Sequence, residues 1–197
     1  MSKLKIAVIP GDGIGWEVIP EGLKVLEAVG RKYNIEYSFT EFDWGCERYH
    51  KTGKLMPDEG IETLKSFDSI FLGACGYPGV PDHISLWGLL IPIRREMKQY
   101  VNLRPVRMLK GMPCPLANRG PEDINFWVVR ENNEGEYSEI GGRLHRGTDH
   151  EVAIQESIFT KFGTDRILRY AFDLCKQLGL EKVSIGACSI SHISLNQ

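Results

Sequence analysis

Residues 3–15 read KLKIAVIPGDGIG, an apolar run that stops at a Pro-Gly pair and passes into a glycine-rich turn. The run Ile6–Ile9 carries no charge, which is typical of a strand buried on both faces of a parallel sheet. Helical spacing follows the turn, where Ile19, Leu23 and Leu26 share one stripe. The start of the chain therefore predicts a β-strand, a tight turn and an α-helix.

Two further strand patterns extend this arrangement. Residues 35–39 alternate apolar and polar side chains, and Ser69–Ala74 (SIFLGA) has the composition of a third, buried strand. Strand, helix, strand, helix, strand is the order of a parallel α/β sheet. Apolar residues recur at helical spacing between Ile84 and Tyr100, and Pro92 would bend a helix there.

The second half of the chain is less regular. Ile124–Arg130 and His150–Ser157 are strand candidates, and a long connection with several glycines joins them over residues 131–149. Thr164 to Leu178 has the clearest helical pattern, with Thr164 as the predicted N-cap and Gly179 as the residue that ends the helix.

Composition excludes several classes of protein. The 197 residues carry 24 Lys and Arg against 26 Asp and Glu, so the net charge of −2 argues against a nucleic-acid partner. The pattern predicts no membrane-spanning segment and no signal peptide. Five scattered cysteines without a Cys-x-x-Cys pair argue against a disulfide framework or structural zinc. We therefore expect a cytoplasmic protein with no membrane partner.

The glycine turn has two interpretations. A glycine-rich loop between a strand and a helix can direct backbone N–H groups at a phosphate. The glycines at 11, 13 and 15 have the wrong spacing for the dinucleotide fingerprint, however, which requires Gly-x-Gly-x-x-Gly. Taken alone, the turn is better explained as a tight connection.

Arginines form the second pattern. Arg94, Arg104 and Arg130 could bind carboxylates through their bidentate forks, and Trp87 and Leu90 would share a helix face with the first of them. The alternative is a solvated basic surface. Arg130 also begins the polar segment RENNEGEY at residues 130–137, whose Tyr137 could donate or accept a proton. An ordinary acidic loop is the competing interpretation. Cys46 and His50 have metal-ligand spacing, but two ligands do not make a zinc site.

Three segments together resemble the isocitrate/isopropylmalate dehydrogenase family. They are IPGDGIG at residues 9–15, IRREMKQYVNLRP at 93–105 and VVRENNEGEY at 128–137, and the similarity runs from about Lys5 to Lys182. Residues 81–88 (PDHISLWG) resemble the branch that contains tartrate dehydrogenase and D-malate dehydrogenase. The resemblance implies an α/β isopropylmalate dehydrogenase-like fold, distinct from the Rossmann fold.

The same resemblance implies the activity and the site. Family members oxidise a 2-hydroxy dicarboxylic acid with NAD and release carbon dioxide, with Mn²⁺ or Mg²⁺ polarising the new carbonyl. Tyr137 matches the tyrosine that protonates the product, and the homodimer is the family's assembly. The other matching positions are the substrate-binding residues Arg94, Arg104, Arg130, Trp87 and Leu90 and the cofactor-cleft residues Ile14, Gly73, Ala74 and Gly76.

The sequence departs from the family after about Lys182. Cys188 falls roughly where the family has its catalytic lysine, and the metal-binding aspartates have no counterpart. We therefore expect an incomplete fold that lacks its C-terminal half through a truncation or frameshift, and a chain that is inactive alone. The expected parts are residues 1–103 of the large domain, 104–182 of a second domain and an atypical tail, 183–197. A dicarboxylate-binding remnant or a fragment without function is the alternative.

Overall fold

The computed structural model describes residues 3–187 and 195–196, which divide into two compact units between Met97 and Lys98. The first unit contains β1 (Leu4–Gly11), α1 (Gly15–Tyr33), β2 (Tyr37–Glu41), α2 (Cys46–Thr52), α3 (Gly60–Leu64), β3 (Ser69–Ala74), α4 (Asp82–Ser85), a π-helical turn (Leu86–Leu90) and α5 (Ile91–Glu96). The second contains β4 (Val101–Arg107), β5 (Asn125–Glu131), β6 (Gly135–Leu144), β7 (Val152–Ile158), α6 (Lys161–Gln177), β8 (Gly186–Ala187) and β9 (Leu195–Asn196). The domain limits expected from the family stay a prediction.

A parallel three-stranded sheet organises the first unit, as the sequence predicted. The strand order is β2-β1-β3, and Ile6 on the central strand pairs with Phe39 on one side and Ser69 on the other. Strand β3 has the predicted bounds, whereas β2 begins two residues later than the alternating pattern indicated. The crossovers through helices account for the parallel pairing, because parallel strands need long connections.

The central strand is buried on both faces, because successive side chains point to opposite sides of a sheet. Ile6 and Val8 pack with Ile19 of α1 on one face. Ala7 and Ile9 pack on the other face in a larger cluster that also contains Trp44, Cys46, Leu55, Leu64, Val80, Leu89 and Ile93. The first unit therefore has a core on each side of β1.

Helix α1 contains Pro20 in its interior, as its sixth residue. Proline has no N–H, so the helix lacks one backbone hydrogen bond at this turn. Glycine at position 22 lets the helix approach the sheet, since a β-carbon there would lie 2.5 Å from the ring of Phe71. Asn34 ends the helix in the left-handed conformation, with φ at 56°.

The predicted helix over residues 84–100 consists of three shorter pieces. Residues 86–90 form a π-helical turn, in which the N–H of Ile91 donates to the carbonyl of Leu86. Pro92 explains this break: it cannot donate, and its ring would collide with the carbonyl four residues earlier in a regular helix. Helix α5 ends at Glu96, so the predicted end at Tyr100 was wrong.

The second unit contains four strands that the sequence did not predict, namely β4, β6, β8 and β9. Its described strands form antiparallel pairs, β4 with β5, β6 with β7 and β8 with β9. Strand β6 occupies most of the segment 131–149 that was expected to be a connection. The glycines in β6 obscured the strand pattern, and a register shift between Gly135 and Ile140 breaks its alternation.

Helix α6 begins earlier than predicted. Its N-cap is Thr160 and not Thr164, because the Thr160 hydroxyl accepts the N–H of Gly163 at 2.9 Å. The predicted end is confirmed: Gly179 is left-handed with φ at 64°, and the N–H of Leu180 donates to the carbonyl of Cys175 at 2.9 Å. In the described part of the chain, no helix combines the length and apolar character needed to cross a membrane.

Candidate active-site residues

The segments expected to line the cofactor cleft lie together at one edge of the parallel sheet. Gly11 at the end of β1 pairs with Ala74 at the end of β3, and the N–H of Asp12 donates to the Ala74 carbonyl at 2.6 Å. The chain order reverses between β1 and β3, and ligands of open α/β sheets bind beyond the strand ends at such a point. Ile14 in this loop is 57% exposed.

The glycine loop itself is tightly hydrogen-bonded. The N–H of Gly15 donates to the carbonyl of Asp12 at 2.9 Å, and the N–H of Trp16 donates to that of Gly13 at 3.1 Å. Gly11 has φ at +75°, and a β-carbon there would overlap the Ala74 carbonyl. These backbone groups are engaged within the loop, which supports the tight-connection interpretation over a phosphate cradle.

Trp87, Leu90 and Arg94 are half-buried in the segment that carries the π-helical turn and α5. The guanidinium over the Trp87 ring belongs to Arg95, at 4.9 Å from the ring centroid. The sequence placed Arg94 on the face of Trp87 by counting regular helical turns. The π-helical turn adds a residue to that count, so the neighbouring arginine takes this place.

Arg104 and Arg130 lie on the same face of the β4–β5 pair. The register places Asn102 opposite Arg130 and Arg104 opposite Val128, and directly opposed residues share a face. The two arginines are therefore diagonal neighbours, with roughly 7–8 Å between their backbone positions. The Nε of Arg104 donates to the Asn102 side-chain oxygen at 2.9 Å.

Tyr137 is held against Arg130. The Nη2 of Arg130 donates to the Tyr137 phenol oxygen at 2.9 Å, and the guanidinium carbon lies 5.3 Å from the ring centroid. Arg130 is the second-last residue of β5 and Tyr137 the third residue of β6, so the short turn between these strands brings the two side chains together. The sequence singled out both residues, and the structure pairs them.

Glu131 fixes the turn between β5 and β6. One carboxylate oxygen accepts the N–H of Asn133 at 2.8 Å and that of Glu134 at 2.7 Å. The other oxygen accepts from Arg166 of α6 at 2.7 Å. The Arg166 guanidinium also lies 4.7 Å from the ring centroid of Tyr100. Sequence reasoning missed Arg166, which directly precedes the apolar residue Ile167 in α6 and belongs to no motif.

A second contact joins the same turn to α6. The carboxylate of Glu134 accepts the N–H of Thr160 at 2.9 Å and its hydroxyl at 2.6 Å. Glycine at 163 leaves room for this contact, because a β-carbon there would displace the carboxylate. Thr160 thus caps α6 and holds the β5–β6 turn, so the turn that carries Tyr137 is attached to a helix start.

Asp12 lies at the centre of a buried polar cluster in the first unit. It is 1% exposed, and its carboxylate accepts the N–H of Cys46 at 2.8 Å and that of Gly76 at 3.0 Å. Burial, together with the nearby Asp12 carboxylate, raises the pKa of the Cys46 thiol to about 12 and that of the Cys75 thiol to about 11. Cys46 therefore faces Asp12 and Cys75, whereas His50, its partner by spacing, contacts the Tyr77 ring at 5.6 Å.

Comparison with known proteins decides the family. The family profile described as isocitrate/isopropylmalate dehydrogenase matches residues 5–187, nearly the whole chain. The chain belongs to the isocitrate/isopropylmalate dehydrogenase family. The resemblance found in the sequence motifs is thereby confirmed, and the match ends at residue 187 where the sequence predicted about 182.

Curated relatives in this dehydrogenase family are closely similar. The chain is 58% identical over 178 residues to D-malate dehydrogenase [decarboxylating] of Escherichia coli, covering 89% of this chain and 49% of that protein. It is 57% identical over 177 residues to tartrate dehydrogenase/decarboxylase of Pseudomonas putida, covering 89% and 48%. The chain thus spans about half the length of the curated relatives it matches.

Solved dehydrogenases of the family share the fold. Isocitrate dehydrogenase from Methylococcus capsulatus superposes with a TM-score of 0.73 at 27% identity, over 90% of this chain and 49% of that one. The beta-decarboxylating dehydrogenase from Thermococcus kodakarensis has a TM-score of 0.60 at 30% identity, over 90% and 47%. The predicted isopropylmalate dehydrogenase-like fold is confirmed.

Cys188, at the position expected for the family's catalytic lysine, lies in residues 188–194, which are outside the described part of the chain. The roles assigned by resemblance to the substrate-binding, cofactor-binding and catalytic residues stay predictions. The structure supplies their positions, which are grouped at the β1–β3 edge, in the segment 86–96 and on the β4–β5–β6 strands.

Proposed function

We propose that this protein is an NAD-dependent dehydrogenase that oxidises and decarboxylates a 2-hydroxy dicarboxylic acid such as D-malate or tartrate. The observation that carries the proposal is the hydrogen bond of 2.9 Å between Arg130 and Tyr137. It joins an anion-binding group to a proton-donating group. The D-malate and tartrate dehydrogenases at 58% and 57% identity support the same substrate class.

The arginines supply the recognition of a dianion. Arg104 and Arg130 share one face of the β4–β5 pair, where their forks can each hold a carboxylate in bidentate geometry. We assign Arg94 to the same task by resemblance. Trp87 and Leu90 are half-buried apolar side chains suited to select the substituent on the substrate's carbon chain. A neutral substrate would not need this concentration of guanidinium groups.

Tyr137 is the proposed acid. Because a guanidinium can only donate hydrogen bonds, the phenol oxygen accepts from Arg130 and directs its own hydrogen away from it. That hydrogen is suited to pass to the carbon that carries negative charge after carbon dioxide has left. General acid catalysis of this kind contributes about 10²–10⁴ to a rate.

We assign the NAD cleft to the β1–β3 edge by resemblance to the family. Ile14 is exposed there, and Gly73, Ala74 and Gly76 present a strand end with little side-chain bulk. NAD would supply the hydride acceptor when bound. A Mg²⁺ or Mn²⁺ site does not fit the described residues: among them, the group of three ligating side chains contains two thiols, which such hard cations do not favour.

A non-catalytic dicarboxylate-binding protein is the competing function. A binding protein has use for Arg104 and Arg130 but not for an ordered tyrosine beside them. The turn that carries Tyr137 is held by four hydrogen bonds to the carboxylates of Glu131 and Glu134. The number of hydrogen bonds that position this phenol favours catalysis.

The free thiols of Cys46, Cys75, Cys114 and Cys175 support a reducing compartment such as the cytoplasm.

The experiment measures NADH formation from D-malate and from tartrate with NAD and Mn²⁺. We expect Tyr137→Phe to lower kcat at least about 100-fold with KM little changed. Arg104→Ala should raise KM, whereas Arg107→Ala, on the opposite face of β4, is the matched control. Thermal stabilisation by malate without NADH formation would favour the binding protein instead. The absence of both stabilisation and NADH formation would refute both functions.

Self-association is the second part of the proposal, because the family resemblance implies a homodimer. The second unit exposes several large apolar side chains, which favours burial against another protein surface: Phe126, Trp127, Ile140, Ile154, Phe162 and Phe172. Sedimentation equilibrium should show a dimer that Ile154→Glu weakens and that Val25→Glu, on the exposed part of α1, leaves intact. A monomer at high concentration would contradict this.

A further inference from the structure

Three segments of the first unit bring metal-binding atoms together. Asp12 follows β1, Cys46 begins α2 and Cys75 follows β3. A carboxylate oxygen and the two sulfur atoms all lie within 4.8 Å of one another. The residues are 12, 46 and 75 in the sequence, so only the fold joins them.

Burial distinguishes this cluster from an accidental surface group. Asp12 and Cys46 are 1% and 0% exposed, and Cys75 is half-buried. The Asp12 carboxylate is already oriented, because the backbone N–H groups of Cys46 and Gly76 donate to its two oxygens. Each oxygen keeps a further lone pair for another partner. A ligand set held in place by its own backbone needs little rearrangement to bind.

We propose that Asp12, Cys46 and Cys75 form a binding site for a thiophilic divalent cation such as Zn²⁺ or Cd²⁺. Two thiolates and one carboxylate are a donor set that these ions favour, with water as the fourth ligand on the half-buried side of Cys75. On binding, each thiol releases its proton to solvent and forms a sulfur–metal bond. No group is oxidised or reduced.

The charge balance favours the ion over the bare cluster. One carboxylate and two thiolates carry three negative charges in a buried setting, and a divalent cation reduces this to one. Without the cation the cluster keeps its protons, and the Cys75 thiol donates to the Ser85 carbonyl at 3.7 Å. Metal binding would therefore replace this weak hydrogen bond with a sulfur–metal bond.

The metal site adjoins the proposed cofactor cleft but takes no part in the proposed reaction. It would tie the loop after β1 to the segment after β3, and Gly76 in that segment belongs to the proposed cofactor cleft. Metal binding there does not require NAD, a dicarboxylate or turnover. The inference therefore survives if the proposed activity fails, and it can fail while the activity holds.

The test is a titration of the reduced full chain with Cd²⁺, followed by the ultraviolet absorption of cadmium–thiolate bonds. We expect one equivalent to bind, and Cys75→Ala to weaken binding more than about tenfold, since losing even an outer-shell partner costs 10–100-fold. Cys175→Ala removes a thiol on α6 and is the matched control. Cys46→Ser gives a second variant in case Cys75→Ala does not fold.

Three results would overturn the proposal. The first is an absorption band that persists unchanged in both Cys75→Ala and Cys46→Ser. The second is a band that Cys175→Ala removes as effectively. The third is a Cys46–Cys75 disulfide in metal-treated protein, detected as a loss of two hydrogens in the peptide mass, because a disulfide leaves no thiolate to bind the cation.

Discussion

The contact between Glu131 and Arg166 gives the sharpest test of how Tyr137 is positioned. Glu131→Gln keeps the shape of the side chain but removes its charge. The glutamine can still accept both backbone N–H groups with its oxygen, and its NH₂ group then faces the Arg166 guanidinium, donor against donor. A hydrogen bond to a charged group contributes about 1.5–3 kcal/mol, so we expect a loss of that size in the free energy of unfolding.

A double-mutant cycle isolates the pair itself. In the background of Arg166→Met, the glutamine no longer faces a guanidinium, and its cost should fall below about 1 kcal/mol. The expected coupling energy is therefore about 1–2 kcal/mol. The matched control is Arg143 with Glu151, whose side chains are 61% and 28% exposed against 21% and 21% for the test pair. Its coupling should stay within about 0.2–1 kcal/mol.

Hydrogen exchange provides the assay. Amide exchange in β5 and β6, measured by mass spectrometry at increasing urea, reports the opening of the strands that hold the pair. The variants should lose protection there and keep it in β1. A coupling energy for Glu131 and Arg166 no larger than that of the exposed pair would refute the reasoning, since the turn would then owe its position to the backbone alone.

Three further outcomes follow from burial and charge. Leu89→Ala, at a fully buried position, should lower the free energy of unfolding by about 2–5 kcal/mol in urea denaturation, whereas Leu109→Ala, 65% exposed, should change it by less than about 0.5 kcal/mol. Because the thiolate is the reactive form, the raised pKa values of Cys46 and Cys75 should make alkylation at pH 8 much slower in folded than in urea-unfolded protein; equal labelling rates would contradict this. Hydrogen bonds from the Gly147 N–H and from Arg143 lower the pKa of Glu151 from its usual value of 4.5, so the charged carboxylate stabilises the fold above that pH. The difference in stability between the protein and Glu151→Gln should therefore shrink as acid protonates the carboxylate, and a difference independent of pH would be evidence against this.

The first unit could be predicted well because its signals are local. Strands β1 and β3 are short apolar runs bounded by proline, glycine or polar residues, and β1 needs no alternation because it is buried on both faces, whereas the edge strand β3 is half-buried. The π-helical turn could not be predicted in the same way. Pro92 predicted a disrupted helix. Whether the helix kinks, ends or widens there depends on what the disrupted turn packs against, which is Leu55 beside Gly88.

The strands of the second unit were harder to predict because their stability comes from partners. Strand β4 contains Pro105, which is tolerated because β5 is the strand's one partner among the described residues. Strand β6 contains Gly141, whose φ of +154° and close approach to the Ile154 carbonyl require a residue without a side chain. A proline or a glycine does not predict a strand from the sequence alone, since each is tolerated here because of how the neighbouring strand pairs with it.

The candidate site divides in the same way. Arg130 and Tyr137 are seven residues apart, so a strand ending and a turn suffice to bring them together, and the sequence identified both. The residues that hold them are distant: Thr160 lies 26 positions from Glu134, and Arg166 lies 35 from Glu131. Each is an ordinary residue of a helix in the sequence, and only the folded contact gives it a role.

Gly163 shows how closely the helix start and the turn depend on each other. Its N–H donates to the Thr160 hydroxyl, while that hydroxyl donates to Glu134. A side chain at position 163 would overlap the Glu134 carboxylate, so the contact requires both a capping hydroxyl and a bare backbone within one helical turn. Since Glu134 lies in the turn before β6, the start of α6 fixes the strand on which Tyr137 lies. The position of the proposed acid is therefore set by a helix that supplies no group to the reaction.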